Sequence, residues 1–201
     1  MIGAEIVVYH SGVRLPHEEN RPLDELMETE REELYWLGER AKELGVSIAV
    51  ENHNPQRWDI DRGGADKYGL FLNRLLEQIR TIAHANVGIC LDYGHAYLSS
   101  SQFNYDFADA IRNVMPHVNH LHIHDNFGKV PMVERPYVYQ YNYGEDDLHL
   151  PVGWGSIPYG ELFRMDSQSV IGVVELKPRY VKDTAMCIAQ VSQLLTNYQN
   201  V

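Results

Sequence analysis

Val118-Asn119-His120-Leu121-His122-Ile123-His124-Asp125-Asn126 is the run whose reading decides the fold. Side chains on a strand switch faces at every residue, so His120, His122 and His124 share one face and Leu121 and Ile123 the other. A strand with aliphatics on one side packs that side on helices. The imidazole side then looks into a polar centre. The run closes on Asp125-Asn126 and a nearby glycine, where a strand hands over to a loop. It reads as a buried parallel strand whose C-terminal end opens on a metal or substrate site.

Working outward, four more runs have the same character. Ile6 to His10 is short and β-branched. Val46 to Glu51, Val87 to Asp92 and Val170 to Glu175 follow in order. Between them lie helical patterns. Leu26, Leu34, Leu37, Ala41 and Leu44 recur at three- to four-residue steps over 24–44, with Gly45 as the C-cap. Residues 70–84 repeat the pattern, a segment lies around 103–113, a short helix begins at Gly160 and runs to Met165, and 183–198 closes the chain. Residues 52–66 read as a polar loop and 128–147 as a long insertion. Strands alternating with helices imply a parallel sheet with helical crossovers.

Parity sorts the strands. Val46, Ile48 and Val50 face one way, Ala49 and Glu51 the other; Val87, Ile89 and Leu91 face one way, Cys90 and Asp92 the other. The large aliphatics belong to the helix-facing side. The opposite parity ends in His10, Glu51, Asp92 and Glu175, each at the last strand position. One acid at a strand end often just caps the next element. Several strands ending in His, Asp or Glu on matching parity point to a metal centre on the rim of a (β/α) barrel.

Composition sets the bounds. The 201 residues are 44% hydrophobic and 22% charged, enough for one globular domain, 1–201. A formal net charge of -11 opposes a polyphosphate ligand, so nucleic acid is disfavoured. No apolar run is long enough to span a membrane. Cys90 and Cys187 carry no CxxC spacing, which reads as a reduced, cytoplasmic protein.

Four stretches carry a resemblance: Ala49-Val50-Glu51-Asn52, Leu91-Asp92-Tyr93-Gly94-His95, Leu121-His122-Ile123-His124-Asp125-Asn126 and Val174-Glu175-Leu176-Lys177-Pro178. A fifth, Asp147-Leu148-His149-Leu150-Pro151-Val152-Gly153-Trp154-Gly155, lies between the last two. Together they resemble the xylose isomerase-like TIM barrels, the superfamily of sugar isomerases and epimerases that also holds the apurinic-site endonucleases. In its epimerases a Glu, an Asp, a His and a Glu from successive strands hold one divalent metal. The resemblance therefore implies Glu51, Asp92, His122 and Glu175 as ligands. It implies His95 as a substrate contact; His10, His149 and Trp154 are the further candidate substrate contacts, Trp154 either walling the pocket or packing its own loop. Proton abstraction beside a carbonyl needs a Lewis acid and carboxylate bases, so Glu51 and Glu175 are also the acid/base candidates. Hard O and N donors suit Mn, Mg, Co or Zn.

The expected function is a divalent-metal-dependent sugar isomerase or epimerase acting on a small sugar or polyol. Two other activities use overlapping residues. A polyol dehydratase shares the first proton abstraction. The zinc-dependent endonuclease branch uses more ligands, matched here by His10, Glu51, Asp92, His95, His122, Asp147, His149 and Glu175. Eight strands are usual for this fold, and about five are found. By order the chain starts near the fourth strand, so the expected architecture is a partial TIM barrel, about its last five βα units. A truncated barrel without activity is the remaining alternative. Open sheet edges predict a homo-oligomer or an edge shielded by irregular chain. The alternating tyrosines of 137–143 read as a packed loop, a lid or an interface, and Cys90 as inner core.

Overall fold

The computed structural model of the chain describes residues 3–133, 141–163 and 170–199. Five parallel strands lie side by side in chain order: β1 (Ile6–His10), β2 (Ser47–Glu51), β3 (Val87–Asp92), β4 (Val118–Ile123) and β5 (Ile171–Val174). Sequential parallel neighbours require crossovers that all return on one face of the sheet. These are α1 (Leu23–Leu44), then α2 (Arg57–Asp61) with α3 (Leu72–Ile82), then α4 (Tyr93–Phe103) with α5 (Phe107–Val114), then α6 (Tyr159–Leu162); α7 (Thr184–Gln199) follows β5. The result is a partial TIM barrel. Among the described residues β1 pairs only with β2 and β5 only with β4, so the sheet stays open.

The parity read from the sequence sorts the layers. Ile48, Val50, Val87, Ile89, Leu91, Leu121 and Ile123 join one apolar cluster with Leu34, Leu75, Ile79, Ile111 and Val114 of the helices. The other parity lines the concave face. Register then brings its ends to one rim: His10 lies opposite Glu51, Glu51 opposite Cys90, and Asp92 opposite His122.

Two elements differ from the sequence expectation. The polar loop 52–66 contains α2, whose first turn is held by the Asp59 carboxylate accepting the Gln56 N–H at 2.8 Å. After β3 the chain enters α4 without a loop. Tyr93, Gly94, His95, Ala96, Leu98, Ser99 and Ser100 of that helix are all buried, so it carries no amphipathic stripe for a periodicity reading to find. The short helix expected over 160–165 runs Tyr159–Leu162, and residues 164–165 lie outside the described residues. So do residues 137–140 of the tyrosine run; Tyr141 carries the Arg179 guanidinium 3.9 Å over its ring. No described helix is long and apolar enough to cross a membrane.

Candidate functional site

The rim gathers side chains from β2, β3, β4 and the residue after β5. His122 Nδ1 lies 3.3 Å from Glu51 Oε1, 3.8 Å from Asp92 Oδ2 and 3.5 Å from Glu175 Oε2. That nitrogen is buried, and no group is aligned to hydrogen-bond with it. A buried ring nitrogen without an aligned partner, facing three carboxylates, is a donor set that could hold a cation. The spacing of Glu51 and Asp92 is fixed from behind. The Asn52 amide accepts the Asp92 N–H at 2.8 Å and donates to the Asp92 carbonyl at 3.0 Å, bridging β2 and β3 where their pairing ends. His10 Nε2 reaches Glu51 Oε2 at 3.0 Å from an exposed position.

His95 joins this group to a second one. Asp92 caps α4, its Oδ1 accepting the His95 N–H at 2.7 Å, and that cap sets the imidazole three residues on over the rim. His95 Nδ1 donates to the Asn52 carbonyl at 2.9 Å, and its Nε2 lies 3.3 Å from Asp147 Oδ2. His149 repeats the arrangement: Nδ1 donates to the Glu175 carbonyl at 3.2 Å and Nε2 meets Asp147 Oδ2 at 2.7 Å. Backbone carbonyls that fix one ring nitrogen as donor leave the other to serve as a ligand. His124, fully buried, stacks on His149 at 3.8 Å and places Nε2 3.1 Å from the Asp92 carboxylate. His95, His124, Asp147 and His149 can bring one ligand atom each to within 4.8 Å of all the others. His149 holds φ 44°, a left-handed backbone unusual outside glycine, and such strain collects at functional sites.

The electrostatics follow from packing acids against imidazoles. Burial alone would push His95 down, but the Asp92, Asp147 and Glu51 carboxylates outweigh it and hold the imidazole up, at about 10. Burial is likewise overridden at His122 by Glu51, Glu175 and Asp92, and at His124 by Asp92 and Asp147; both are raised. Asp92 and Asp147 are held below the usual carboxylate range, since their histidine neighbours outweigh burial. His53 goes the other way, to about 4, through burial; its Nε2–H donates to the Ser11 carbonyl at 2.6 Å.

A scaffold loop holds the second group in place. The Asp125 carboxylate accepts the N–H groups of Asn126, Gly153, Gly155 and Ile157 at 2.9 to 3.2 Å. Asp125 and Leu150 also exchange backbone hydrogen bonds, and Asp147 and His149 lie immediately before that contact. Trp154 stands on this loop, 46% exposed and edge-on to Tyr180 at 5.8 Å. Its ring makes no described contact with the rim acids or imidazoles. His124 is the site residue that sequence reasoning set aside. Its shared parity with His122 was the available signal.

An open parallel β/α half-barrel with acids and imidazoles on its C-terminal rim is the build of a partial TIM barrel. The chain belongs to the xylose isomerase-like TIM barrel family, whose model matches residues 1–169. It is 25% identical over 183 residues to the uncharacterized protein MJ1311 of Methanocaldococcus jannaschii, covering 90% of this chain and 53% of that protein. Among solved structures, a D-tagatose 3-epimerase-like protein aligns with a TM-score of 0.72 at 24% identity, over 98% of this chain and 64% of the other. The IOLI protein with a binding zinc atom aligns at 0.65 and 20% identity, over 98% and 64%. A xylose isomerase-like TIM barrel protein from Mycobacterium smegmatis, in complex with magnesium, aligns at 0.65 and 18% identity, over 98% and 62%. The chain thus spans about half of the curated relative and under two thirds of these structures.

Proposed function

We propose that this chain carries the catalytic rim of a divalent-metal-dependent sugar isomerase or epimerase. One observation carries the reading: the buried, unpartnered His122 Nδ1 faced by Glu51, Asp92 and Glu175 at 3.3 to 3.8 Å. These four would hold the cation, and two structural neighbours, one with a binding zinc atom and one in complex with magnesium, suggest zinc or magnesium. A cation bound there polarises a substrate carbonyl and stabilises negative charge growing on its oxygen. Glu51 and Glu175 would serve as proton acceptor and donor at the carbon beside that carbonyl. His95, raised by its carboxylate neighbours, donates to a substrate oxygen, and His10 and His149 flank it. Sugar epimerases among the neighbours support a sugar or polyol substrate. Cys90 and Cys187 are both free and buried, which supports a reduced, cytoplasmic setting.

Metal analysis of the purified protein, with Glu51→Gln and His122→Ala beside it, tests the site. Both variants are expected to lose metal; unchanged content in both overturns the reading. Exchange of the substrate C–H in deuterated water, screened over ketoses, tests the chemistry.

The cluster of His95, His124, Asp147 and His149 favours a second reading, a site of more than one zinc ion with phosphodiester-hydrolase chemistry. Cleavage of an abasic duplex at low salt decides it. The net charge of -11 weighs against a DNA substrate.

A further inference from the structure

One pleat below the rim, Cys90 and His120 are register partners on β3 and β4, and His122 is two residues on. All three are buried, at 0%, 6% and 7% exposure. Their potential ligand atoms lie within 4.8 Å of one another. Atoms bound tetrahedrally to one zinc ion stand roughly 3 to 4 Å apart, so a small closure completes the set. His120 is the independent observation. Its Nδ1 is buried with no hydrogen-bond partner, and its ring sits 5.3 Å from that of His122 in a T-shaped contact. A buried imidazole nitrogen without a partner, beside a buried thiol, is a costly arrangement for a plain core.

The donor types separate this position from the rim. Three carboxylates and an imidazole suit a hard or borderline cation; a thiolate and two imidazoles select a softer one. We propose that Cys90, His120 and His122 form a second cation site that takes a thiophilic ion such as zinc or cadmium, and that it competes with the rim for His122. Binding forms the Cys90 sulfur–metal bond as the thiol proton leaves to solvent, with no change of oxidation state. Such a site would make the protein sensitive to soft metals, which would withdraw the one imidazole of the proposed rim ligand set.

The test has two arms, and only the second rests on the proposed rim function. In the first, metal-free protein is titrated with Cd²⁺ and followed by thiolate-to-metal absorption in the near ultraviolet. The band is expected in the wild type, in Cys187→Ser and in Glu51→Gln, and is expected to vanish in Cys90→Ser and weaken in His120→Gln. Absence from the wild type, or survival in Cys90→Ser, overturns the site. In the second arm, Mn²⁺ bound at the rim is followed by its paramagnetic resonance while Cd²⁺ is added. Release from the wild type with retention in Cys90→Ser supports competition. Equal release from both, or retention in both, overturns it. If Mn²⁺ fails to bind at all while the Cd²⁺ band forms, the rim reading fails and the lower site stands.

Discussion

Asp92 answers two demands at once. Its Oδ1 caps α4 through the His95 N–H, while Oδ2 faces the imidazoles of His95 and His122 at 3.8 Å. The structural and functional readings of a strand-end acid therefore coincide at one residue, and the cap is what places His95. Asp92→Asn keeps an oxygen for the cap and removes the charge. It is expected to cost about 1 kcal/mol or less through the helix, while metal affinity falls by about ten-fold or more. Thermal unfolding and metal titration separate the two effects. The same charges set a pH dependence. His95, His122 and His124 are raised in the metal-free protein, so their stabilisation is present below about 6.5 and is lost as pH rises, for His95 through about 10. A cation held at the rim would displace the proton of His122, so metal affinity rises with pH as that imidazole loses its proton. The gap in melting temperature between metal-loaded and chelator-treated protein is therefore expected to widen from about pH 6 to about pH 9. A constant gap would mean that the His122 proton is not displaced.

At the level of elements, β2, β3 and β4 were legible because their burial is two-sided in kind, large aliphatics outward and acids, imidazoles and small residues inward on a period of two, whereas β5 turns Ile171 and Val173 inward beside His120 and His122. The convergence of Glu51, Asp92, His122 and Glu175 follows from that period once the strands lie parallel and in order. Helix α4 was not legible, because its Gly, His and Ser residues are buried by neighbours on several sides and leave no 3.6-residue stripe. His124 escaped for a related reason: its value comes from Asp92 and His149, distant in sequence. The loop 150–157 shows the opposite case, where a motif first quoted for chemistry acts as scaffold. Asp125 binds four N–H groups of that loop and its own strand end, two through each oxygen. Asp125→Asn would turn an NH₂ group against two of those donors. It is expected to destabilise by about 2 to 4 kcal/mol, nearly as much as Asp125→Ala, since both leave buried donors unpaired. Gly155→Ala belongs to the same unit, because a Cβ there would stand 2.3 Å from the Asn126 carbonyl. Chemical denaturation measures all three, and loss of the Asp147–His149 arrangement would appear as reduced zinc stoichiometry without loss of the rim ion.

On the scale of the whole molecule, the question is what covers the two ends of the sheet. β1 and β5 each leave one edge unpaired among the described residues, and the concave side of β5 presents Ile171 and Val173 at 50% and 41% exposure. Val7 on β1 is 51% exposed. Unpaired parallel edges with half-bare β-branched residues are an unfavourable surface in water and a template for strand addition. Covering the exposed half of one such side chain is worth about 1 kcal/mol, and several together are enough to drive association once backbone pairing is added. The same edges bound the rim: Glu175 follows β5 directly and His10 ends β1, so a strand laid on either edge would also wall the candidate site. Sedimentation of the 23.1 kDa chain is therefore expected to show a larger species, with hydrogen exchange slowed at the β5 amides. Ile171→Lys, which places a charge on the half-exposed concave edge, is expected to return the chain to a monomer with its helix content intact. It should also weaken metal retention at Glu175, because the wall is lost with the partner. A wild-type monomer with fast-exchanging β5 amides would show instead that this edge stands bare in solution and that the rim belongs to an open half-barrel.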